Sequence, residues 1–183
     1  MQPTVIKESA IIHAPIERVF ALSTRVELVQ ETLGLRIIDA GVEGSVTSGH
    51  VTDGSRVHWR GWKFGLPTEH HTLITGFVPP HSHFIRLDHH EITKEAYFQD
   101  TQEHGRFAFF QHDHHFYESP DPATGEPITE LDDEVRFTVP FGPLGRIAAK
   151  LLVAPHVRSL TRNRFARLKQ LAESNEWQQF LDA

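Results

Sequence analysis

The residues best able to do chemistry gather in one segment, Phe110-Gln111-His112-Asp113-His114-His115-Phe116. Side chains alternate along an extended strand, so Phe110, His112, His114 and Phe116 share one face and Gln111, Asp113 and His115 the other. The face with the bulky aromatics is the one to bury, which presents two imidazoles to the interior. A second β-rich segment, Thr129 to Val139, places Asp133, Val135 and Phe137 on one face with Leu131. If the loop Ser119 to Pro127 closes a hairpin, pairing indices that sum to about 245 set His112 opposite Asp133, with Cβ atoms about 5 Å apart. A carboxylate there orients a ring nitrogen and favours its proton, as in a general base or a ligand anchor. The plainer alternative is a polar cluster that satisfies itself. His112 and Asp133 are the candidate catalytic residues.

The chain carries 14 histidines, which invites a metal reading. The H-x-H pair spaces two imidazoles about 6.5–7 Å apart on one strand face, with Asp133 a conceivable third ligand. Most other histidines are adjacent pairs (His70-His71, His89-His90, His114-His115), whose members face opposite ways on a strand. No H-E-x-x-H occurs, and with no cysteine there is no thiolate ligand, nucleophile or disulfide. No metal is expected. No G-x-G-x-x-G follows a strand, and there is neither a P-loop nor a G-x-S-x-G, so no organic cofactor is expected either.

These strands need a frame. Val5 to Ile12 reads as a first strand, broken at His13-Ala14-Pro15, with two short helices to about Gly34. Further strands are expected over Leu35–Ala40, Arg56–Phe64 (Gly61 as a bulge), His70–Val78 (closed by Pro79-Pro80), His83–His89 and Arg106–Tyr117. Tyr97–Gln102 is a short strand or an ordered loop. After Gly142-Pro143-Leu144-Gly145 a long helix follows, kinked or divided by Pro155. Leu144, Ile147, Ala148, Leu151 and Leu152 share one apolar face, continued by Val157, Leu160, Phe165, Leu168 and Leu171. Trp59, Trp62 and Phe64 would pack in the sheet's concavity or at its mouth. Arg60 could meet a ligand anion or a neighbouring acid, and Arg86 and Arg106 are similar cases. Arg146, Lys150, Arg158, Arg162, Arg164, Arg167 and Lys169 make the helix basic, read as a solvated face rather than a partner surface.

The fold class is therefore α+β: about seven antiparallel strands curved around a long C-terminal helix, with two short helices after the first strand. Residues 1–183 form one domain, with a peripheral tail at 173–183 anchored at most by Trp177 and Phe180. The hydrophobic share is 39% and the net charge −6, which offers no general attraction to phosphate backbones. No nucleic acid is expected as a partner. No apolar run approaches the ~20 residues of a membrane span, and no signal peptide is seen, so a cytoplasmic protein is expected. A homodimer is compatible with this reading.

The pattern resembles the START-related (Bet v 1-like, helix-grip) superfamily, in its bacterial polyketide cyclase/dehydrase-like branch. The resemblance runs through Ile11-Ile12-His13-Ala14-Pro15-Ile16-Glu17-Arg18-Val19-Phe20, Ile74-Thr75 with Pro79-Pro80, and Phe98-Gln99-Asp100 with Gln102, Gly105, Phe107, His112, His114 and Phe116. It ends with Asp133-Glu134-Val135-Arg136-Phe137, Pro140 and Gly142-Pro143-Leu144-Gly145. The stretch His81 to Ala96 is longer than the corresponding turn of the family. The resemblance implies an apolar cavity between sheet and helix, but no single chemistry. The resulting expectation is a binder of a hydrophobic or polycyclic small molecule, lipid- or polyketide-like, rather than an enzyme. Its contacts would come from Trp59, Arg60, Phe110, His112, His114, Phe116, Asp133, Val135, Phe137 and Leu151. The alternative is a cofactor-independent cyclase, dehydratase or hydrolase in which His112 and Asp133 move protons. A module that docks a protein through its basic helix is the third reading.

Overall fold

A computed structural model of the chain describes residues 2–39, 41–87 and 90–181. Ala40, Asp88, His89 and the side chain of Arg86 lie outside the described residues. Strand β1 (Thr4–Ile12) leads into helices α1 (Ile16–Thr24) and α2 (Val26–Leu33). Strands β2 (Arg36–Ile38), β3 (Arg56–Lys63), β4 (Leu66–Leu87), β5 (His90–His104), β6 (Phe109–Pro120) and β7 (Pro127–Thr138) follow. Helix α3 (Gly142–Ala148), a π-helical stretch at Ala149–Val153 and helix α4 (Ala154–Ala172) complete the long C-terminal element. The seven strands form one antiparallel sheet in the order β1-β7-β6-β5-β4-β3-β2. The expected fold class holds.

Three local readings need correction. Gly61 is no bulge, because β3 pairs with β4 in unbroken register from Arg56↔Leu73 to Lys63↔Leu66. The turn between them is Phe64-Gly65, both at positive φ (53° and 72°), the two-residue geometry that suits a twisted hairpin. The double proline does not end a strand. β4 runs through Pro79-Pro80, with its pairing to β5 slipping between Val78 and His81. The slip passes over the two residues that have no N–H to give to a ladder. The extra length from His81 to Ala96 is thus the outer part of one long β4–β5 hairpin. The β6–β7 register sums to 247, so His112 faces Val135 and His114 faces Asp133.

Helix phase is the fourth correction. In α4 the buried positions are Thr161, Arg164, Phe165, Leu168, Leu171 and Ala172, a helical stripe that meets the sheet. Carried back through an unbroken α-helix, the positions seven residues before Val157 and Ala154 are Lys150 and Ile147. The wider π turn shifts that phase, so Ala149 and Gly145 face inward instead. Leu144, Ile147, Leu151 and Leu152 consequently point outward, and Leu151 is 65% exposed. Pro155, which cannot donate to the Leu151 carbonyl, sits immediately after this turn. The helix is divided here, as expected, but the division moves its leucines off the core.

The tail docks through a 3-10 turn (Asn175–Trp177) and a short α5 (Gln178–Leu181). Trp177, Phe180 and Leu181 pack on the main core cluster, and the Arg18 guanidinium lies 4.5 Å from the Trp177 ring centre. That cluster joins Phe20, Phe98, Phe116, Phe165 and Leu168. A second, at the other end of the grip, joins Ile6, Val135, Phe137 and Ala149, with Phe107, Phe110, Val153 and Val157 packed against it.

Gly145 is where the helix start meets the end of the sheet. A Cβ there would collide with the Pro140 and Val139 carbonyls, which are backbone atoms with little freedom to move. Gly145→Ala should lower stability by about 1–3 kcal/mol. Urea unfolding followed by tryptophan fluorescence reads this directly, and an unchanged midpoint would show that α3 is free to shift.

Candidate functional site

Strand β6 passes from one apolar cluster to the other. Phe116 belongs to the main cluster and Phe110 packs against the second, and His112 and His114 lie between. The alternation read from the sequence is what sets both imidazoles on the concave face. Asp133 of β7, opposite His114, takes hydrogen bonds from both: His114 Nδ1 lies 2.7 Å from Oδ1 and His112 Nε2 lies 3.0 Å from Oδ2. The expected His112–Asp133 contact therefore forms, but as a diagonal of the ladder. A β-pairing diagonal still brings long side chains together.

Two further residues complete the cluster. Asp100 of β5, opposite His112, places Oδ2 3.2 Å from His114 Nε2 and 3.7 Å from His112 Nδ1. Arg164 of α4 donates from Nη1 to Asp133 Oδ2 at 3.0 Å and from Nη2 to the Ser23 carbonyl. Phe98 stacks on the His114 ring at 4.1 Å. Asp133 and His114 are buried, whereas Asp100 and His112 keep 15% and 14% of their side chains open to solvent. His70 of β4 stands beside them, with Nδ1 3.2 Å from Gln102 Oε1 and its ring against Phe110.

Sequence reasoning missed Arg164 and Asp100 as site residues. Arg164 was read with the solvated face of the helix, yet it lies on the buried stripe with Thr161, Phe165 and Leu168. A charge at that spacing is the signal that could have found it. Asp100 appeared only within the Phe98-Gln99-Asp100 motif. Most of the remaining basic helix is also engaged within the chain: Arg158 and Arg162 pair with Glu8, Arg167 with Glu31, and Lys169 with the Ile11 carbonyl and Glu173.

The other candidates divide by face. Trp59 is buried and donates from Nε1 to Thr72 Oγ1. Phe116, Val135 and Phe137 are core residues on the inward face. Arg60, adjacent to Trp59, points the other way and pairs with Glu69, so it does not join the cluster. Leu151 is turned outward by the π segment. Trp62 and Phe64 are exposed, with Phe64 edge-on to His156. Arg106 reaches the Pro67 carbonyl. A cleft of about 350 Å³ opens where β5 turns into β6, bounded by Gln102, Phe107 and Phe110. A small pocket of about 10 Å³ lies beside Arg164, between Leu22, Leu28 and Leu168.

Burial and neighbouring charges act against each other in this cluster. Burial opposes the ionised form of Asp133, but His114, His112 and Arg164 outweigh it and hold its pKa well below the usual range. Arg164 is the one of these with a permanent charge. Asp100 is likewise lowered, because the His114 hydrogen bond and the nearby His112, His114 and His70 outweigh its burial. Burial pushes His114 and His70 down, toward the neutral ring.

Comparison with solved structures places this architecture. A START superfamily protein from Mycobacterium smegmatis superposes with a TM-score of 0.54 at 12% identity, covering 91% of this chain and 98% of that one. A norcoclaurine synthase point mutant from Thalictrum, in complex with a transition-state analogue, gives 0.51 at 11% identity over 94% and 97%. A hypothetical protein from Helicobacter pylori gives 0.51 at 9% identity over 92% and 88%. No protein-family model matches the sequence, and no curated protein matches it.

Two outcomes follow from this cluster. Arg164→Met should cost about 3–5 kcal/mol, because it leaves a buried carboxylate without its guanidinium. Urea denaturation checks this. The second outcome concerns pH. Burial lowers His50, His58, His70, His114 and His156 from 6.5, so the unfolded chain binds protons that the fold refuses. Their effect is absent above about pH 6.5 and destabilises progressively below it. Asp100 and Asp133, with lowered pKa, contribute stability that is present above 3.8 and lost as pH falls further. The urea midpoint should therefore fall from about pH 7 to pH 5 and drop again below about pH 4. A flat profile across the first interval would contradict the buried neutral histidines.

Proposed function

Starting from a START/Bet v 1-like helix-grip fold, we propose that this chain binds a hydrophobic or polycyclic small molecule between its sheet and its C-terminal helix. The observation that carries the reading is the cleft bounded by Gln102, Phe107 and Phe110 where β5 turns into β6; Asp100 and His112, two residues further along the same strands, keep part of their side chains open to solvent. The cleft volume, about 350 Å³, suits a small ligand. The aromatic rings offer apolar contact area, while His112, His114 and Asp100 offer a few polar contacts that fix orientation. The Thalictrum neighbour was solved in complex with a transition-state analogue, which supports small-molecule binding by a protein of this fold. Among the described residues no helix is long and apolar enough to cross a membrane.

A second reading has its own support. His112 is hydrogen-bonded to a carboxylate and keeps part of its ring open, the arrangement that lets an imidazole exchange a proton with a bound molecule. Cyclase, dehydratase or hydrolase chemistry would start there.

Anilinonaphthalene sulfonate serves as a polycyclic probe. It should bind one molecule per chain, and Phe110→Ala should weaken binding about tenfold, the equivalent of 1.4 kcal/mol. Fluorescence titration measures both. No saturable binding, or the same affinity in Phe110→Ala, would contradict a ligand seat at this cleft. Native mass spectrometry of protein from its own host would then identify the natural occupant. For that occupant, an unchanged affinity and turnover in His112→Ala would remove His112 from both readings.

A further inference from the structure

One nitrogen of each ring faces Asp133: His114 Nδ1 lies 2.7 Å from Oδ1 and His112 Nε2 lies 3.0 Å from Oδ2, with Arg164 Nη1 also 2.9 Å from His114 Nδ1. The tautomers that carry hydrogen on these two nitrogens leave the opposite nitrogens free to ligate. Those opposite nitrogens are His114 Nε2 and His112 Nδ1. Both are turned toward Asp100 Oδ2, at 3.2 and 3.7 Å. Three electron-rich atoms thus converge on one point from β5 and β6. One ligand atom from each of Asp100, His112 and His114 lies within 4.8 Å of the other two.

Arg164 meets this cluster at Asp133 Oδ2 and at His114 Nδ1, the ring nitrogen opposite the one near Asp100. We propose that Asp100, His112 and His114 form a mononuclear site for a divalent transition-metal ion, with Asp133 orienting both histidines from the second rank. Metal–ligand bonds of about 2.0–2.2 Å span the separations seen, after small side-chain rotations. Metal-bound histidines commonly donate their other N–H to a carboxylate, and here one carboxylate serves both rings. Two nitrogens and one oxygen, without sulfur, suit zinc, iron(II) or cobalt(II). Three protein ligands leave coordination positions open for a further donor. The proposal departs from the expectation of no metal, which rested on the opposite facing of adjacent histidine pairs and on the lack of a helical metal motif.

A rival set exists on the outer β4–β5 hairpin, where His81, His83 and Glu95 also gather. Those residues are substantially exposed, and Glu95 is itself engaged by both histidines. It lacks a buried orienting carboxylate and serves as the internal control.

The inference deepens the ligand-binding reading, since an ion here would take an oxygen donor of the bound molecule. Metal binding is measured without that molecule, so the two readings fail separately. The full chain is stripped with a chelator and titrated with zinc chloride by calorimetry. One ion per chain should bind with micromolar or tighter affinity. Asp100→Asn and His112→Ala should each weaken it by about a hundredfold or more, Asp133→Asn by about 10–100-fold, and His83→Ala not at all. Cobalt(II) should give a visible absorption band that His112→Ala abolishes. A measurement on the unaltered chain guards against variants that fail to fold: the imidazole nitrogen resonances of His112 and His114 should shift on zinc addition. Absence of stoichiometric binding, loss of binding in His83→Ala but not in His112→Ala, or unshifted His112 and His114 resonances would each overturn the proposal.

Discussion

The buried carboxylate of Asp133 is the contact on which this fold's interior depends. It ties β7 to β6 through two imidazoles and ties the sheet to α4 through Arg164. Apolar packing is non-directional and would let the helix slide along the groove. A fork of charged hydrogen bonds does not, so the register of helix on sheet follows from it. Glu8 with Arg158 and Arg162, and Glu31 with Arg167, repeat the same clamp at the surface, where each pair contributes far less.

This arrangement explains why the middle of the grip is polar although both ends are apolar. Phe116 and Phe98 close one end, and Phe137 with Phe107 the other. Between them the chain accepts the desolvation of two carboxylates, two imidazoles and a guanidinium. Replacing such a network by hydrocarbon is often neutral or stabilising, so its presence points to a role beyond stability.

The strand alternation of Phe110 to Phe116 was legible in the sequence, because a period of two survives any error in register. So was the Pro155 division of the helix. The His112–Asp133 contact was legible for an imperfect reason: a register two residues off still leaves the pair diagonal neighbours. Arg164 was not, since one charge among seven in a basic helix looks like the others until the buried stripe is known. Helix phase before Pro155 was hidden for a related cause. Nothing in Leu144, Ile147, Leu151 and Leu152 marks a π turn, and only the small side chains of Gly145 and Ala149 hint at the face that packs closely. The continuity of β4 through two prolines runs against local propensity, and its pairing with β5 overrides it.

That continuity has a bearing on how the molecule meets others of its kind. Among the described residues β4 has no β3 partner beyond Leu73, and after the Ile74 hydrogen bonds to Ser55 and Gly54 the outer hairpin carries an open flank. An open flank of backbone is a template on which a foreign strand can grow, and it is a common origin of aggregation. Pro79 and Pro80 present no N–H there, and the irregular pairing around them bends the ribbon out of flatness. The dipeptide that disguises the strand in the sequence thus also guards it against promiscuous strand addition, letting a 22-residue β-strand project from the sheet without inviting polymerisation.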